Sequence, residues 1–307
     1  MITAGVDLGG SFVKSVVVDG ADTVTEAPLV AVPDESITDV VERVARRLID
    51  GSGARGVGVG VAGLVEWPEG RFVWGPHVSG TGIPLARGLR ERLGVPVVVD
   101  NDANLAAYCE ATLGAARGRR NVLMLTFGTG IGAGIVTDGI IHHGRSFAGE
   151  VGHMTMVPDG RICACGRRGC WETVVSGAML DRLAVDLATE VPDGHVGRLA
   201  ADGTATAEHL TRAADAGDPA SRTVLAEAGT WLGRGVVNLI LTLDPDIVVI
   251  GGAVSQAGRW LLDPARMAIA SQLPGSAHRR PPPLVVAEYG PLSGAIGAAL
   301  AARRVTP

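Results

Sequence analysis

The chain has 307 residues, of which 47% are hydrophobic and 19% are charged, and its formal net charge is −5. This apolar content excludes an intrinsically disordered protein, and the acidic balance argues against nucleic-acid binding by bulk charge. A chain of this length is expected to form about two domains.

The first third of the chain alternates apolar runs with glycine-rich turns, a pattern typical of α/β folds. An amphipathic helix opens at residues 33–36 and carries Val40, Val41 and Val44 on one face. In chain order, the pattern predicts strands at 2–8, 12–18, 24–32, 56–62 and 95–99, and helices at 33–50 and 101–113.

One pattern recurs along the chain. Residues 5–20 and 124–139 each read as a strand, a glycine-rich turn, a second strand and an Asp-Gly turn. Gly9 then matches Gly128, and Asp19 matches Asp138. Because each copy opens one half of the chain, the recurrence predicts two related α/β halves that begin with a ββ glycine hairpin.

The second half is richer in helices. The pattern predicts helices at 176–190, 207–216, 219–241 and 293–303, a buried strand at 246–250, and loops at 192–206 and 274–283. The closing helix is Ala-rich and is expected to pack back on the first half. We therefore predict a small domain of residues 1–119 with 292–307, and a large domain of residues 120–291.

The N-terminus shows no basic, apolar leader, and no uninterrupted apolar run of about 18 residues occurs. A cytoplasmic protein without a membrane span or a nucleic-acid partner is therefore expected. Lys14 is the one lysine among 27 basic residues. A GC-rich genome explains that bias most simply, but the surviving lysine lies in the first glycine hairpin.

The two glycine loops are candidates for binding phosphate groups. Glycines let the backbone approach a polyanion and offer N–H donors, and Asp7 at a strand end suits a metal ion that bridges phosphates. Neither loop is a Walker A loop or a Rossmann fingerprint. An ordinary hairpin turn is the alternative for each loop.

The segment Asp100-Asn101-Asp102 follows a buried strand and precedes a helix, where open α/β sheets place their ligands. A carboxylate there can accept a proton from an attacking hydroxyl. Capping of the helix by Asn101 or Asp102 is the alternative.

One histidine and three clustered cysteines form the strongest motif: His153, Cys163, Cys165 and Cys170. Together they supply a full tetrahedral zinc set, which predicts a structural site, with three reduced thiols in a loop as the alternative. Cys109 lies among Ala and Leu in a predicted helix and is expected in the core. The zinc loop also carries Glu150 and Glu172, which are candidates for binding sugar hydroxyls or are simply surface glutamates.

In chain order, the motifs DLGGS, NDAN, FGTGIGAG, ExxH, CxCGxxGCxE and VVIGGAVS resemble those of the ROK family (repressors, open reading frames and kinases). The resemblance covers residues 4–297. It implies the two-domain actin-like ATPase fold of the sugar kinase, Hsp70 and actin superfamily. It also implies a kinase that uses ATP and Mg²⁺ to phosphorylate a hexose, first of all glucose, at the 6-hydroxyl, and a homodimer or homotetramer.

The resemblance also implies site residues. The catalytic base is matched by Asp102. The sugar-contacting positions are matched by Gly63, His77, Asn101, Asp102, Glu150, His153 and Glu172. The ATP and Mg²⁺ positions are matched by Asp7, Gly9, Gly10, Ser11, Phe12, Gly128, Thr129, Gly130, Gly132, Gly251 and Gly252. The structural Zn²⁺ ligands are matched by His153, Cys163, Cys165 and Cys170.

The sequence departs from the family pattern at three places, two of which bear on the substrate. Ser11 stands where Thr is usual and keeps the hydroxyl, whereas residues 61–63 and His77 differ from the usual sugar-loop residues. Other hexoses therefore stay open: N-acetylmannosamine, N-acetylglucosamine, fructose, mannose and allose. A polyphosphate donor is disfavoured by the cysteine motif.

Two non-enzymatic alternatives also stay open. The ROK repressors carry a helix-turn-helix before the DxGG motif, whereas Asp7 lies almost at the start of this sequence. Retention of Asp102 also favours catalysis. A repressor is therefore expected least, and a non-catalytic sugar sensor is the other alternative to a kinase.

Overall fold

Two mixed sheets and a small hairpin account for the strands of the computed structural model, which describes residues 1–32, 35–76, 78–201 and 203–306. The strands are β1 Thr3–Leu8, β2 Phe12–Val18, β3 Val24–Glu26, β4 Val30–Ala31, β5 Val57–Val61, β6 Leu64–Glu66, β7 Arg71–Trp74, β8 Val97–Asn101, β9 Val122–Phe127, β10 Ile131–Thr137, β11 Ile140–Ile141, β12 Ile247–Gly252 and β13 Leu284–Val286. The larger sheet has the order β3-β2-β1-β5-β8 with β4 also on β2, the second has the order β11-β10-β9-β12-β13, and β6 pairs with β7.

The described helices are α1 Ile37–Ser52, α2 Leu85–Leu93, α3 Asp102–Thr112, α4 Gly177–Glu190, α5 His195–Leu199, α6 Ala207–Asp215, α7 Pro219–Leu243, α8 Arg259–Gln272 and α9 Ser293–Arg303. Two compact units result. The first consists of Met1–Met124, Ala133–Gly149 and Ala287–Pro307, and the second of Leu125–Gly132 and Glu150–Val286.

The recurrence seen in the sequence is confirmed as two hairpins of equal dimensions. β1 and β9 each have 6 residues, and β2 and β10 each have 7. Their following turns differ. Asp138 and Gly139 both have positive φ, as a type I′ turn requires, whereas Asp19 accepts hydrogen bonds from Ala21 and Thr23 in a wider turn.

In the first unit, the closing helix α9 lies unusually close to β1, β5 and α3. A Cβ on Gly5 would lie 1.9 Å from the Ala295 carbonyl oxygen, and one on Gly58 would lie 1.8 Å from that of Ala298. A Cβ on Gly297 would come equally near the Leu105 carbonyl oxygen, at 1.8 Å. Some of the 44 glycines of the chain therefore allow close packing of α9 against β1, β5 and α3 and do not lie in loops.

The longest helix, α7, belongs to the second unit. In the described chain it is the one helix long and apolar enough to cross a membrane by length and composition, and 56% of that stretch is buried. Gly229 and Gly233 pack directly on the carbonyl oxygens of Leu261 and Ala265 in α8. Because helices buried in the core of globular proteins pass the same test, α7 is weak evidence for a membrane span.

Several sequence predictions need correction. The strand expected at 24–32 is two short strands, β3 and β4, interrupted at Pro28, which has no N–H to donate. The loop expected at 192–206 contains α5. The helix expected from 33 begins at Ile37 with Ser36 as its N-cap, while residues 33–34 lie outside the described chain. The strands β6, β7, β11 and β13 and the helices α2 and α8 were not predicted.

Candidate active site

The first glycine loop joins β1 to β2 in the first unit. Its turn is closed by a hydrogen bond from the Gly9 N–H to the Phe12 carbonyl oxygen, 3.1 Å long. Gly10, Ser11 and Phe12 are exposed, and Gly9 is half-buried. The loop predicted to bind phosphate therefore presents its backbone and the Ser11 hydroxyl to solvent.

Beside this loop lies a group of charged side chains. Asp7 is the second-last residue of β1 and is buried, and the ammonium of Lys14, its partner in β2, lies 3.6 Å from its Oδ2. Burial, and next the charge of Asp102, raise the pKa of Asp7 to about 7, while Lys14 lowers it. Burial also raises the pKa of Asp102, which backbone donors and Lys14 counteract. Two carboxylates thus share one lysine.

The start of α9 faces Asp7. A Cβ on Gly294 would lie 2.9 Å from the Asp7 Oδ2. The fully buried Glu110 of α3 fastens this region, because its carboxylate accepts hydrogen bonds from the N–H groups of Glu288 and Tyr289 and from the Ser293 hydroxyl. Glu110 could not be recognised from the sequence, since its hydrogen-bond partners are distant in the chain.

The β8–α3 junction carries the predicted base. Asn101 caps α3 by accepting hydrogen bonds from the N–H groups of Ala103 and Asn104, so the capping alternative is confirmed for this residue. Its side-chain amide also donates to the carbonyl oxygen of Gly63 at 3.0 Å. Asp102 is the first residue of α3. The structure therefore brings Gly63, Asn101 and Asp102 together, while His77 lies outside the described residues.

The second glycine loop, in the second unit, follows β9. Gly128 and Thr129 are exposed, and the Gly128 carbonyl accepts from the N–H of Gly177 at the start of α4. Gly252, which closes β12, has a φ of 83° and sits where a Cβ would lie 2.2 Å from the Phe127 carbonyl oxygen. The ends of β9 and β12 therefore meet, so that the predicted nucleotide residues of this unit lie beside one another.

The predicted zinc ligands also come together in this unit. One ligand atom from each of His153, Cys163, Cys165 and Cys170 lies within 4.8 Å of all the others. The Cys165 and Cys170 Sγ atoms are 3.7 Å apart, and the Cys163 Sγ lies 3.6 Å from the His153 Nδ1. In a tetrahedral zinc site, two thiolate sulfur atoms lie about 3.8 Å apart. The donor set and its spacing therefore fit zinc.

Glu172 connects this cluster to the second glycine loop. Its Oε1 lies 2.8 Å from the Cys163 Sγ, and its Oε2 accepts from the Ile131 N–H at 3.4 Å. A Cβ on Gly130 would lie 2.4 Å from that same Oε2. The other candidate, Glu150, is exposed and lies 3.8 Å from the His153 Nε2. His153 thus faces the cysteines with one nitrogen and Glu150 with the other.

Comparison with known proteins finds similarity over the whole chain. The family model described as "ROK family" matches residues 3–305. A glucokinase of Streptomyces coelicolor is 35% identical, and the match covers 100% of this chain and 99% of that protein. A glucokinase of Halalkalibacterium halodurans is also 35% identical, over 85% of this chain and 83% of that protein.

Among solved structures, a ROK family glucokinase from Streptomyces griseus in complex with glucose and AMPPNP has a TM-score of 0.89. It is 34% identical, and the match covers 99% of this chain and 100% of the other. The actin-like ATPase architecture expected from the motifs is thus confirmed at the level of the fold.

Proposed function

The chain belongs to the ROK family, and we propose that it is an ATP-dependent glucokinase that transfers the γ-phosphoryl group of ATP to the 6-hydroxyl of glucose. The observation that carries this proposal is the full-length similarity to a ROK glucokinase solved with glucose and an ATP analogue. The retained carboxylates Asp7 and Asp102 support catalysis and not sugar sensing.

We propose Asp102 as the general base. Its carboxylate would accept the hydroxyl proton while the oxygen attacks the γ-phosphorus in line. Burial raises the pKa of Asp102, which strengthens it as a proton acceptor. Positioning and electrostatic stabilisation would supply most of the rate, as in other phosphoryl transfers.

The nucleotide-binding residues are proposed on two grounds: the family resemblance and the accessibility of the loops that carry them. We propose that the phosphates bind the two glycine loops, at Gly9, Gly10, Ser11 and Phe12 and at Gly128, Thr129, Gly130 and Gly132, with Gly251 and Gly252 near the adenosine. Asp7 would hold Mg²⁺ through its carboxylate, whose buried position beside Asp102 calls for positive charge. When bound, that ion neutralises phosphate charge.

The sugar-contacting residues are proposed in the same way: Gly63, Asn101, Asp102, Glu150, His153 and Glu172, with His77 expected from the sequence. The cysteine cluster would hold zinc as a structural ion that fixes the loop carrying Glu172. A homodimer or homotetramer and a role in glycolysis are further expectations of the resemblance. A cytoplasmic location and the division at residues 119/120 and 291/292 remain expectations from the sequence pattern.

A coupled ADP-release assay across hexoses tests the substrate. We expect glucose with ATP and Mg²⁺ to give the highest kcat/KM among glucose, mannose, fructose, allose and the two N-acetylhexosamines. Polyphosphate should support less turnover than ATP. Higher turnover with another hexose would retain the kinase and change its substrate, whereas no turnover with any sugar would overturn the proposal.

Replacing Lys14 tests its charge. Lys14→Met should lower kcat about 100-fold, because the neighbouring carboxylates of Asp7 and Asp102 and the incoming phosphates lose a fixed cation. Lys14→Arg keeps the charge and should retain most of the activity. Because Lys14 is the one lysine, reductive methylation with ¹³C-formaldehyde labels only it and the α-amino group. A methyl NMR signal that ATP leaves unmoved, or a fully active Lys14→Met protein, would contradict this role.

A further inference from the structure

A buried carboxylate lies directly before the proposed sugar residues, and the mechanism does not use it. Asp100 is 2% exposed and is the second-last residue of β8, directly before the start of α3. Its Oδ1 accepts hydrogen bonds from the Asn101 N–H at 2.7 Å and the Asn104 side-chain amide at 3.0 Å. Its Oδ2 lies 2.7 Å from the Nε2 of His143. Asp100 therefore ties the first turn of α3 to a histidine 43 residues away.

His143 is itself held on several sides. Its ring stacks on Trp67 with the ring planes parallel and the centroids 4.3 Å apart. Its carbonyl oxygen accepts hydrogen bonds from the N–H groups of Ser146 and Ala148, which closes a turn. The Ser146 hydroxyl accepts from the Trp67 N–H at 3.1 Å and donates to the Trp67 carbonyl at 3.3 Å. The turn at 143–148 is thus fastened to the β6–β7 hairpin.

These four residues, Asp100, His143, Trp67 and Ser146, form what we term the Asp100 clamp. It joins three segments of the first unit: the end of β8, the β6–β7 hairpin and the turn at 143–148. The proposed sugar residues of this unit lie at the same places, because Asn101 and Asp102 directly follow Asp100 and Asn101 donates to Gly63, which precedes β6. Burying a carboxylate is costly unless it is fully bonded, so the clamp is sensitive to loss of one donor.

We propose that His143 is a positioning residue for the sugar: through Asp100 and Trp67 it holds Asn101, Asp102 and Gly63 in the geometry that binds the hexose. This inference rests on the proposed sugar-kinase function and names a residue outside the proposed substrate-contacting positions, which acts through Asp100 and Trp67. The proposed role belongs to His143 and not to its neighbour His142, whose side chain is exposed.

Two substitutions at His143 and one control test the proposal. His143→Phe keeps a ring that can stack on Trp67 but removes the nitrogen at Asp100, and should raise the Kd and KM for glucose about tenfold. The KM for ATP should stay within about twofold. His143→Gln places an amide N–H near the position of Nε2 and should restore glucose affinity to within about threefold. The control His142→Ala should match the wild type.

Ser146→Ala is the second variant if His143→Phe does not fold. It removes both bonds to Trp67 but keeps the Asp100 contact, and should raise the Kd for glucose about threefold. Unchanged glucose affinity in both variants, with only a lower melting temperature, would overturn the proposal. Equal loss of glucose and ATP affinity would overturn it as well. If the wild-type protein itself binds no hexose by calorimetry, the proposed function fails, and the sugar-positioning role of His143 fails with it.

Discussion

Asp102→Asn is expected to abolish glucose phosphorylation while the protein still folds and binds glucose. Asparagine has the shape of aspartate but cannot accept the hydroxyl proton, so kcat should fall by a factor of about 1,000 or more. The backbone N–H groups that Asn101 caps are untouched, and α3 should form as before. ADP release measures the loss, and calorimetry with glucose measures the retained binding.

The same substitution should raise stability at alkaline pH. Burial and the neighbouring Asp102 raise the pKa of Asp7 to about 7, above the value of about 3.9 expected in the unfolded chain. A carboxyl whose pKa is raised by folding contributes stability that is present at low pH and is lost as pH rises from about 4 to about 7. Because the Asp102 charge helps to raise the pKa of Asp7, removing that charge reduces the stability lost as pH rises.

We therefore expect the melting temperature of Asp102→Asn, without Mg²⁺ or nucleotide, to exceed that of the wild type by about 2–4 °C at pH 8 and by less at pH 5. Asp50→Asn, on the exposed end of α1, is the matched control and should change neither turnover nor stability. Wild-type turnover in Asp102→Asn would remove Asp102 as the base. A melting temperature lowered at pH 8 would contradict the charge argument only.

Local patterns explain which elements could be predicted. The two glycine hairpins and α1 carry their signals within a few residues, namely alternating apolar strands, glycine turns and a serine cap. The helix α2 follows Pro84 without a side-chain cap and contains Gly88, and α8 contains Pro264 in its interior. Both helices are instead stabilised by packing, α2 through Leu85 and Leu89 and α8 against α7, which a sequence pattern does not display.

The residues of the candidate site also differ in whether a local sequence pattern predicts them. The zinc ligands are clustered in sequence, and their side chains meet because the loop between them is short. Asp102 could be named from a strand end and a family motif. The clamp could not be predicted, since Trp67, Asp100 and His143 are far apart in the chain and meet only in the folded protein, where His143 stacks on Trp67 and contacts Asp100.

Removing the metal centre is expected to weaken glucose binding strongly. Cys163→Ser should reduce bound zinc from about one ion per chain to almost none, because a serine hydroxyl at a buried position is a poor zinc ligand. The KM for glucose should rise more than about tenfold, since Glu172 and His153 lie against this cysteine. Elemental analysis and steady-state kinetics measure the two effects.

Cys109→Ala is the matched control. Cys109 is fully buried in α3, apart from the cluster, as the sequence predicted. Its truncation should cost about 1 kcal/mol of unfolding free energy and leave zinc content and the KM for glucose unchanged. A Cys163→Ser protein that lacks zinc but keeps the wild-type KM for glucose would show that the cluster does not support the sugar residues.

Chelation should reproduce the Cys163→Ser effect because of how Glu172 is bonded. Without metal, burial and next the hydrogen bond to Glu172 raise the pKa of Cys163, so the thiol keeps its proton and donates it to the Glu172 carboxylate. Zinc ligands bind as thiolates, which have no proton to donate, so metal binding would free that carboxylate oxygen for a sugar hydroxyl. We therefore expect zinc uptake to release protons and to tighten with rising pH, and the Kd for glucose of chelated protein to recover when zinc is restored.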